Sequence, residues 1–278
     1  MTRVLVTGAG GQVGQAVMPA LAGHHVLGAT HGELDLADHE QIELVVASFG
    51  PEAVVNCAAV TDVDGCERDP DRAYAVNALG VRHLAVAASR LGAHIVHVST
   101  DYVFDGEAGR PYTEWDDVGP ISVYGRSKLG GERELADHAR SWAIVRTSWV
   151  FGEWGADFVH YALNADAGRG FVDDQTSVPT YSVDLARVLV RLAVERRAGL
   201  YHVTNQGSCT RYELARDVLE LAGRDAASLK AISAVDLDRP AARPRASVLD
   251  GVALRAVGLG PLRHYRDALA EYLAERHA

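Results

Sequence analysis

One feature constrains the fold more than any other: short, nearly unbroken apolar runs alternate with stretches of helical periodicity. The runs are "RVLVTG" (3–8), "HVLGAT" (25–30), "AVVNCAA" (53–59), "HIVHVST" (94–100) and "AIVRTSWV" (143–150). A strand that is apolar at almost every position has both faces covered, which is the condition of a parallel sheet. Helical patterns fall between these runs, near 12–22, 39–49, 70–91 and 123–138. Repeated strand, helix, strand predicts an α/β fold with a doubly wound parallel sheet of Rossmann type. With 278 residues, the chain can form one large domain or a domain plus a smaller lobe.

After residue 150 the rhythm changes. "EWGADFVHYALNADAG" reads as helix, "FVDDQTSVPT" as a short strand and loop, "SVDLARVLVRLAVERR" as an amphipathic helix and "GLYHVTN" as a strand. Two more helices are predicted near 211–222 and 264–276, the second with Tyr265, Leu269, Tyr272 and Leu273 on one face. Between them lies "DRPAARPRAS", a loop rich in proline and arginine. The net charge of −10 and pI of about 5.6 argue against binding to nucleic acid or to an anionic membrane. No apolar run reaches the length of a membrane span. "RVLVTGAGG" follows the first residues directly, without a signal-like apolar region. Three cysteines without a Cys-x-x-Cys spacing indicate a reducing, cytoplasmic setting. The scattered histidines give no metal-ligand pattern, so no metal is expected.

"VTGAGGQVG" ends the first strand and opens the first helix. Gly8, Gly11 and Gly14 follow G-x-x-G-x-x-G. Glycines there permit a tight turn and let backbone N–H groups approach a pyrophosphate at a helix N-terminus. A dinucleotide cofactor is expected, and a P-loop is excluded because no Gly-Lys-Ser/Thr follows. The second strand ends at Thr30 and His31, with neither the acid that holds ribose hydroxyls nor an arginine for a 2′-phosphate. Asp35 follows, either capping a helix or beside the adenine, so NADH and NADPH both stay open. Small residues Ala58 and Ala59 suit a strand end that a cofactor crosses, while Asp62 and Asp64 read as solvated or capping carboxylates in a loop.

Ser99 and Thr100 end the fourth strand, where the carboxyl ends of strands form a ligand crevice. In "PISVYGRSKLGGE", Tyr124 and Lys128 are four apart and share one helix face. Lysine is scarce here: Lys128 and Lys230 are the two in the chain. A nearby ammonium favours a phenolate and lowers its pKa, so the pair is a tuned proton donor or two residues on a surface. Gly125, Gly130 and Gly131 each cost the helix about 1 kcal/mol relative to alanine. Such violations fall at functional or closely packed sites, which fits a helix pressed against a cofactor.

"GAGGQVG", "NCAAVTDVDGCE", "VSTDYVFDG", "VYGRSKLGGE", "VRTSWVFG", "FVDDQTSVPTYSVDLA", "GLYHVTNQG" and "RPRASVLD" stand in an order that resembles one family. The chain resembles the extended short-chain dehydrogenase/reductases, and among them the dTDP-4-dehydrorhamnose reductases. The resemblance implies NAD(P)H-dependent reduction of the 4-keto group of a dTDP-4-dehydro-6-deoxy sugar. Alternatives are another nucleotide-linked 4-keto sugar, or a non-catalytic NADP-binding regulatory subunit. It implies that Thr100, Tyr124 and Lys128 are catalytic, with Lys128 holding the nicotinamide ribose and lowering the Tyr124 pKa. Gly11, Gln12 and Val13 would meet the pyrophosphate, Asp35 and Leu36 the adenine side. Ala59 and Thr61 would line the cofactor further along, and Asp101 and Trp149 would touch the sugar nucleotide. Some members form a magnesium-linked dimer through glutamates, one on the first helix. "QVGQAVMPALAG" has no acid, so homodimer and monomer both stay open. The expected division is a dinucleotide-binding domain at 1–150, rejoined by about 178–206, and a smaller substrate lobe from 151–177 and 207–278. Arg239, Arg243 and Arg245 in the late loop either clamp the substrate diphosphate or are solvated.

Overall fold

A computed structural model describes residues 1–155 and 158–276. The chain opens with β1 (Arg3–Thr7), α1 (Gln12–Ala20), β2 (His25–Ala29), α2 (His39–Phe49) and β3 (Ala53–Asn56). Three helices follow, α3 (Val63–Arg68), α4 (Pro70–Tyr74) and α5 (Gly80–Arg90), then β4 (His94–Thr100), α6 (Val123–His138) and β5 (Trp142–Thr147). Short elements come next: β6 (Val150–Phe151), α7 (Phe158–Leu163), β7 (Gly170–Val172), β8 (Thr176–Ser177) and β9 (Thr180–Tyr181). The helix α8 (Ser182–Val194) leads into β10 (Gly199–His202). The chain ends with β11 (Cys209–Thr210), α9 (Arg211–Leu221), β12 (Lys230–Ile232), α10 (Val252–Ala256) and α11 (Tyr265–Arg276).

The main sheet has the order β10-β5-β4-β3-β1-β2, and each of its pairings is parallel. Val4, Leu5, Val6, Val54, Val55, Ile95 and Val96 have no exposed surface, as an apolar run covered on both faces requires. One core lies between the sheet and helices α1 and α8; the other lies against α2 and α5. The chain runs from β1 outward to β2, then returns to build β3, β4 and β5 on the other side. The reversal between β1 and β3 is a topological switch point, where open α/β sheets bind ligands beyond the carboxyl ends of their strands.

A third core gathers Phe151, Phe171, Tyr181, Leu214, Val218, Tyr265, Leu269, Tyr272 and Leu273, so the four residues expected on one face of α11 do share a buried side. The segment carrying α10 returns to the sheet, where Leu254 and Leu259 pack. Three local expectations are corrected. Residues 153–168 were expected as one helix; helix is found at Phe158–Leu163, with 156–157 outside the described residues. The 70–91 helix is interrupted by a π-helical turn at Ala75–Leu79. That turn aims the buried Asn77 at the Val60 backbone, where its amide accepts from Val60 N at 2.8 Å and donates to Val60 O at 3.0 Å. Asp64 lies inside a helix, not a loop, while Asp62 stands just before it and caps α3 by accepting from Gly65 N at 2.9 Å, the capping role being one of the two expected for it. Among the described residues, no helix is long and apolar enough to cross a membrane.

Candidate active site

The glycine turn is built by steric necessity. Gly8 has φ +66°, and a Cβ there would stand 2.7 Å from the Ala58 backbone at the end of β3. A Cβ on Gly14 would stand 2.2 Å from the Gly8 carbonyl oxygen. The turn therefore folds close on itself, and α1 begins just after Gly11 with no side-chain cap and no acid in its first turn. A cavity of about 630 Å³ opens over it, lined by Gly8, Gly11, Asp35, Leu36, Ala58 and Ala59 among others. Those are the donors and flat walls that a dinucleotide needs. Thr61 and Arg72 also line it.

Glu33 folds back so that its carboxylate accepts from Thr30 N at 2.9 Å and Thr30 Oγ1 at 2.7 Å. Asp35 accepts from Ala37 N at 2.9 Å, as a turn cap, while also bordering the cavity.

A second cavity of about 340 Å³ adjoins the first and shares Gly11, Cys57, Ala59 and Thr61 with it. Gln12 and Val13 border it on the α1 side; Thr100, Asp101, Tyr124, Lys128 and Trp149 border it on the other. β4 delivers Thr100 at its carboxyl end. Ser122 caps α6 by accepting from Gly125 N at 3.1 Å, which fixes where Tyr124 and Lys128 fall. Two of the α6 glycines press on protein backbone. A Cβ on Gly125 or Gly131 would stand 2.1 Å from the carbonyl oxygen of Tyr102 or Asn77. The helix lies that close to the Thr100 loop and to the π turn, so these two glycines are explained by close packing of backbone on backbone.

Burial raises the Tyr124 phenol above its ordinary range, the Thr100 hydroxyl pulls it back, and Asp101 and Tyr102 push it up again. The expectation that Lys128 lowers it is not met by the protein alone. The Lys128 amine is turned instead to the Val98 carbonyl oxygen, 2.7 Å away. Burial pushes Lys128 down to about 8, against the pull of Glu132 and Cys57. Asp101 is buried under Thr100 and accepts from Ser247 Oγ at 2.5 Å, Ser177 Oγ at 3.1 Å and Thr100 Oγ1 at 3.1 Å. Burial raises it to about 6.

Trp149 joins this cleft to a third cavity of about 930 Å³, lined also by Tyr102, Arg211, Arg239 and Arg243. Its backbone has φ +43°, an uncommon conformation for a bulky side chain. Arg211 was missed by sequence reasoning, because the first residue of an amphipathic helix carries no marker of a site. Its guanidinium lies 3.7 Å from the Trp149 ring centre. Among the described residues it has no ion-pair or hydrogen-bond partner, and burial pushes it down to about 10. Arg243 is neither free nor solvated: Nη1 and Nη2 donate to Asp64 at 2.7 and 2.6 Å. Arg245 lies outside this cavity.

A doubly wound sheet, a glycine turn at its switch point and a tyrosine and lysine one helical turn apart define a reductase of the short-chain dehydrogenase class. The sequence model of the RmlD substrate binding domain family matches residues 1–278, and the chain belongs to that family. It is 40% identical over 281 residues to the spore coat polysaccharide biosynthesis protein SpsK of Bacillus subtilis, covering 99% of this chain and 98% of that one. It is 43% identical over 283 residues to a dTDP-4-dehydrorhamnose reductase of Mycobacterium tuberculosis, covering 98% and 92%. The crystal structure of a Bacillus anthracis dTDP-4-dehydrorhamnose reductase in complex with NADP superposes with a TM-score of 0.96, at 33% identity over 99% of both chains.

Replacing Gly14 with alanine is expected to weaken dinucleotide binding by about tenfold or more, since the new methyl forces the turn open and overpacking of this kind costs roughly 1–3 kcal/mol. Fluorescence titration with NADPH measures it, and an unchanged Kd would show that the turn tolerates the shift.

Proposed function

We propose that this chain is an NAD(P)H-dependent reductase of the 4-keto group of a dTDP-4-dehydro-6-deoxy sugar, dTDP-4-dehydrorhamnose, giving dTDP-L-rhamnose. The observation that carries the reading is the convergence of Thr100, Tyr124, Lys128 and Trp149 on one cleft that continues into the glycine-turn cavity. Gly8, Gly11, Gln12, Val13 and Gly14 take the pyrophosphate. Asp35 and Leu36 take the adenine side, and Ala58, Ala59 and Thr61 take the middle of the dinucleotide. Lys128 holds the nicotinamide ribose. When bound, the nicotinamide supplies a hydride to C4. Thr100 holds the carbonyl oxygen with its hydroxyl, and Tyr124 donates a proton to that oxygen as negative charge develops. Asp101 orients Thr100 from beneath while bordering the sugar, and Trp149 provides a face for the sugar nucleotide. The sheet portion, 1–150 rejoined by about 178–206, serves the cofactor. Residues 151–177 and 207–278 serve the substrate, with the α10 segment resting on the sheet.

Arg211 extends the substrate side. An unpaired, half-buried guanidinium is costly, and a diphosphate relieves it by bidentate hydrogen bonding. Arg211→Ala is expected to raise KM for the sugar nucleotide by roughly tenfold or more, because a hydrogen bond to a charged group contributes about 1.5–3 kcal/mol. The cofactor Kd should stay where it was. An unchanged KM would remove Arg211 from the substrate site.

The test of the function is oxidation of reduced nicotinamide with and without dTDP-4-dehydrorhamnose, followed by NMR of the product to fix the C4 configuration. Absence of substrate-dependent oxidation with both NADH and NADPH would overturn the reading.

A further inference from the structure

Beneath the cleft runs a buried polar chain. Thr7, Asn56 and His97, on β1, β3 and β4, have no exposed surface, and Lys128 is 2% exposed. Thr7 Oγ1 donates to Asn56 Oδ1 at 2.6 Å, and Ala58 N donates to the same oxygen at 3.2 Å. The Ala58 N–H can only donate, so it fixes which end of the amide is which, because the amide NH₂ cannot face it. Asn56 Nδ2 therefore points at His97 Nδ1, 2.9 Å away, and that ring nitrogen must accept. A neutral imidazole that accepts through Nδ1 carries its hydrogen on Nε2. His97 Nε2 faces Lys128 Nζ at 3.4 Å.

An ammonium cannot accept a hydrogen bond, so Nε2–H opposite Lys128 places donor against donor. A neutral amine resolves the conflict. It still donates to the Val98 carbonyl oxygen, and its lone pair accepts from His97. We propose that His97 is a positioning residue for Lys128: Asn56 locks its ring with the hydrogen on Nε2, and that hydrogen favours the neutral amine.

The other groups facing Lys128 do not provide this. On its own helix stand Tyr124 and, one turn on, the Glu132 carboxylate, which favours the ammonium. The Cys57 thiol, beyond β3, acts in the same direction. Burial opposes both, and burial together with Lys128 keeps His97 itself neutral, well below its ordinary titration range. His97 thus offsets the carboxylate on the other side of the amine. The result is a lysine whose charge responds to conditions near neutrality rather than one that is permanently cationic.

The proposal takes from the proposed function only that Lys128 holds the nicotinamide ribose; its structural content is testable without substrate. A long-range ¹H–¹⁵N spectrum of the ligand-free protein, with His97→Leu as the assignment variant, should show the hydrogen on Nε2. A hydrogen on Nδ1 overturns the proposal. The chain has two lysines, so [¹³C]lysine labelling gives two side-chain signals, and Lys128→Met assigns them. The Lys128 midpoint, which burial holds below the ordinary lysine range, should move up in His97→Leu relative to the unaltered protein. A midpoint that stays in place overturns the proposal. Should His97→Leu fail to fold, Asn56→Asp provides the second arm. Its carboxylate accepts from Nδ1–H, which reverses the tautomer, turns the Nε2 lone pair toward the ammonium and moves the Lys128 midpoint up. Retention of the Nε2–H tautomer in that variant overturns the lock. In turnover, the alkaline limb of kcat/KM should follow the same shift. If no sugar is reduced while both NMR results hold, the function fails and the positioning role stands.

Discussion

Replacing Tyr124 with phenylalanine is expected to lower kcat by about 10²–10⁴-fold, the usual contribution of a positioned proton donor. The cofactor Kd should be unaffected, because the ring and its edge-on packing against Tyr102, 5.8 Å between centres, survive the change. The direction of the Tyr124 pKa supports the acid role. Burial holds the phenol above its ordinary range, so at neutral pH it is protonated and has a hydrogen to give. Its alkaline ionisation then lies outside the working range, so an alkaline fall in activity is expected to follow Lys128, which burial pushes down, rather than Tyr124. Single-turnover reduction in the purified variant is the measurement. Full activity would assign the proton to another group, with Thr100 next to be changed.

Much of this site was legible because its parts are local in sequence. Gly8, Gly11 and Gly14 lie within one turn, Tyr124 and Lys128 within one turn of helix, and Thr100 ends a recognisable strand. The strand and helix pattern needed no tertiary information, since parallel strands buried on both faces announce themselves as apolar runs. What stayed hidden depends on contacts between distant residues. Two of the three hydroxyls that engage Asp101 come from Ser177 and Ser247, 76 and 146 positions away. The partner of Arg243 is Asp64, 179 positions earlier, so no reading of the arginine-rich loop by itself could tell a bound guanidinium from a solvated one. α3 is six residues long, too short for a periodic signal, which left Asp62 and Asp64 reading as loop carboxylates. The glycines of α6 mark a close approach in the sequence but not its partner, because close approach of a backbone and close approach of a ligand leave the same mark.

The largest expected effect on stability lies one helical turn beyond Lys128. Glu132 and Arg146 are both buried, at 5% and 4% exposure. Glu132 Oε1 accepts from Arg146 Nε at 2.9 Å and from Ser99 Oγ at 2.5 Å, while Oε2 accepts from Arg146 Nη2 at 2.7 Å. The pair ties α6 to β5 and to the residue before Thr100. Arg146→Met removes the cation and leaves a buried carboxylate without compensation, at a cost of about 3–5 kcal/mol. For a chain of this size that lowers Tm by roughly 6–20 °C. Changing both residues, Glu132→Leu with Arg146→Met, should recover most of the loss, since a buried ion pair replaced by apolar side chains is often close to neutral. Stability and catalysis then separate. Glu132 is the carboxylate that holds the charge on Lys128, so the recovered double variant should titrate Lys128 below about 8 and lose activity at lower pH than the unaltered enzyme. Thermal unfolding of the single and double variants, with the pH profile of the double, tests both halves. An Arg146→Met protein as stable as the parent would mean that solvent or a rearranged side chain reaches Glu132. A double variant with an unmoved alkaline limb would mean that Lys128 does not sense the carboxylate four residues along its own helix.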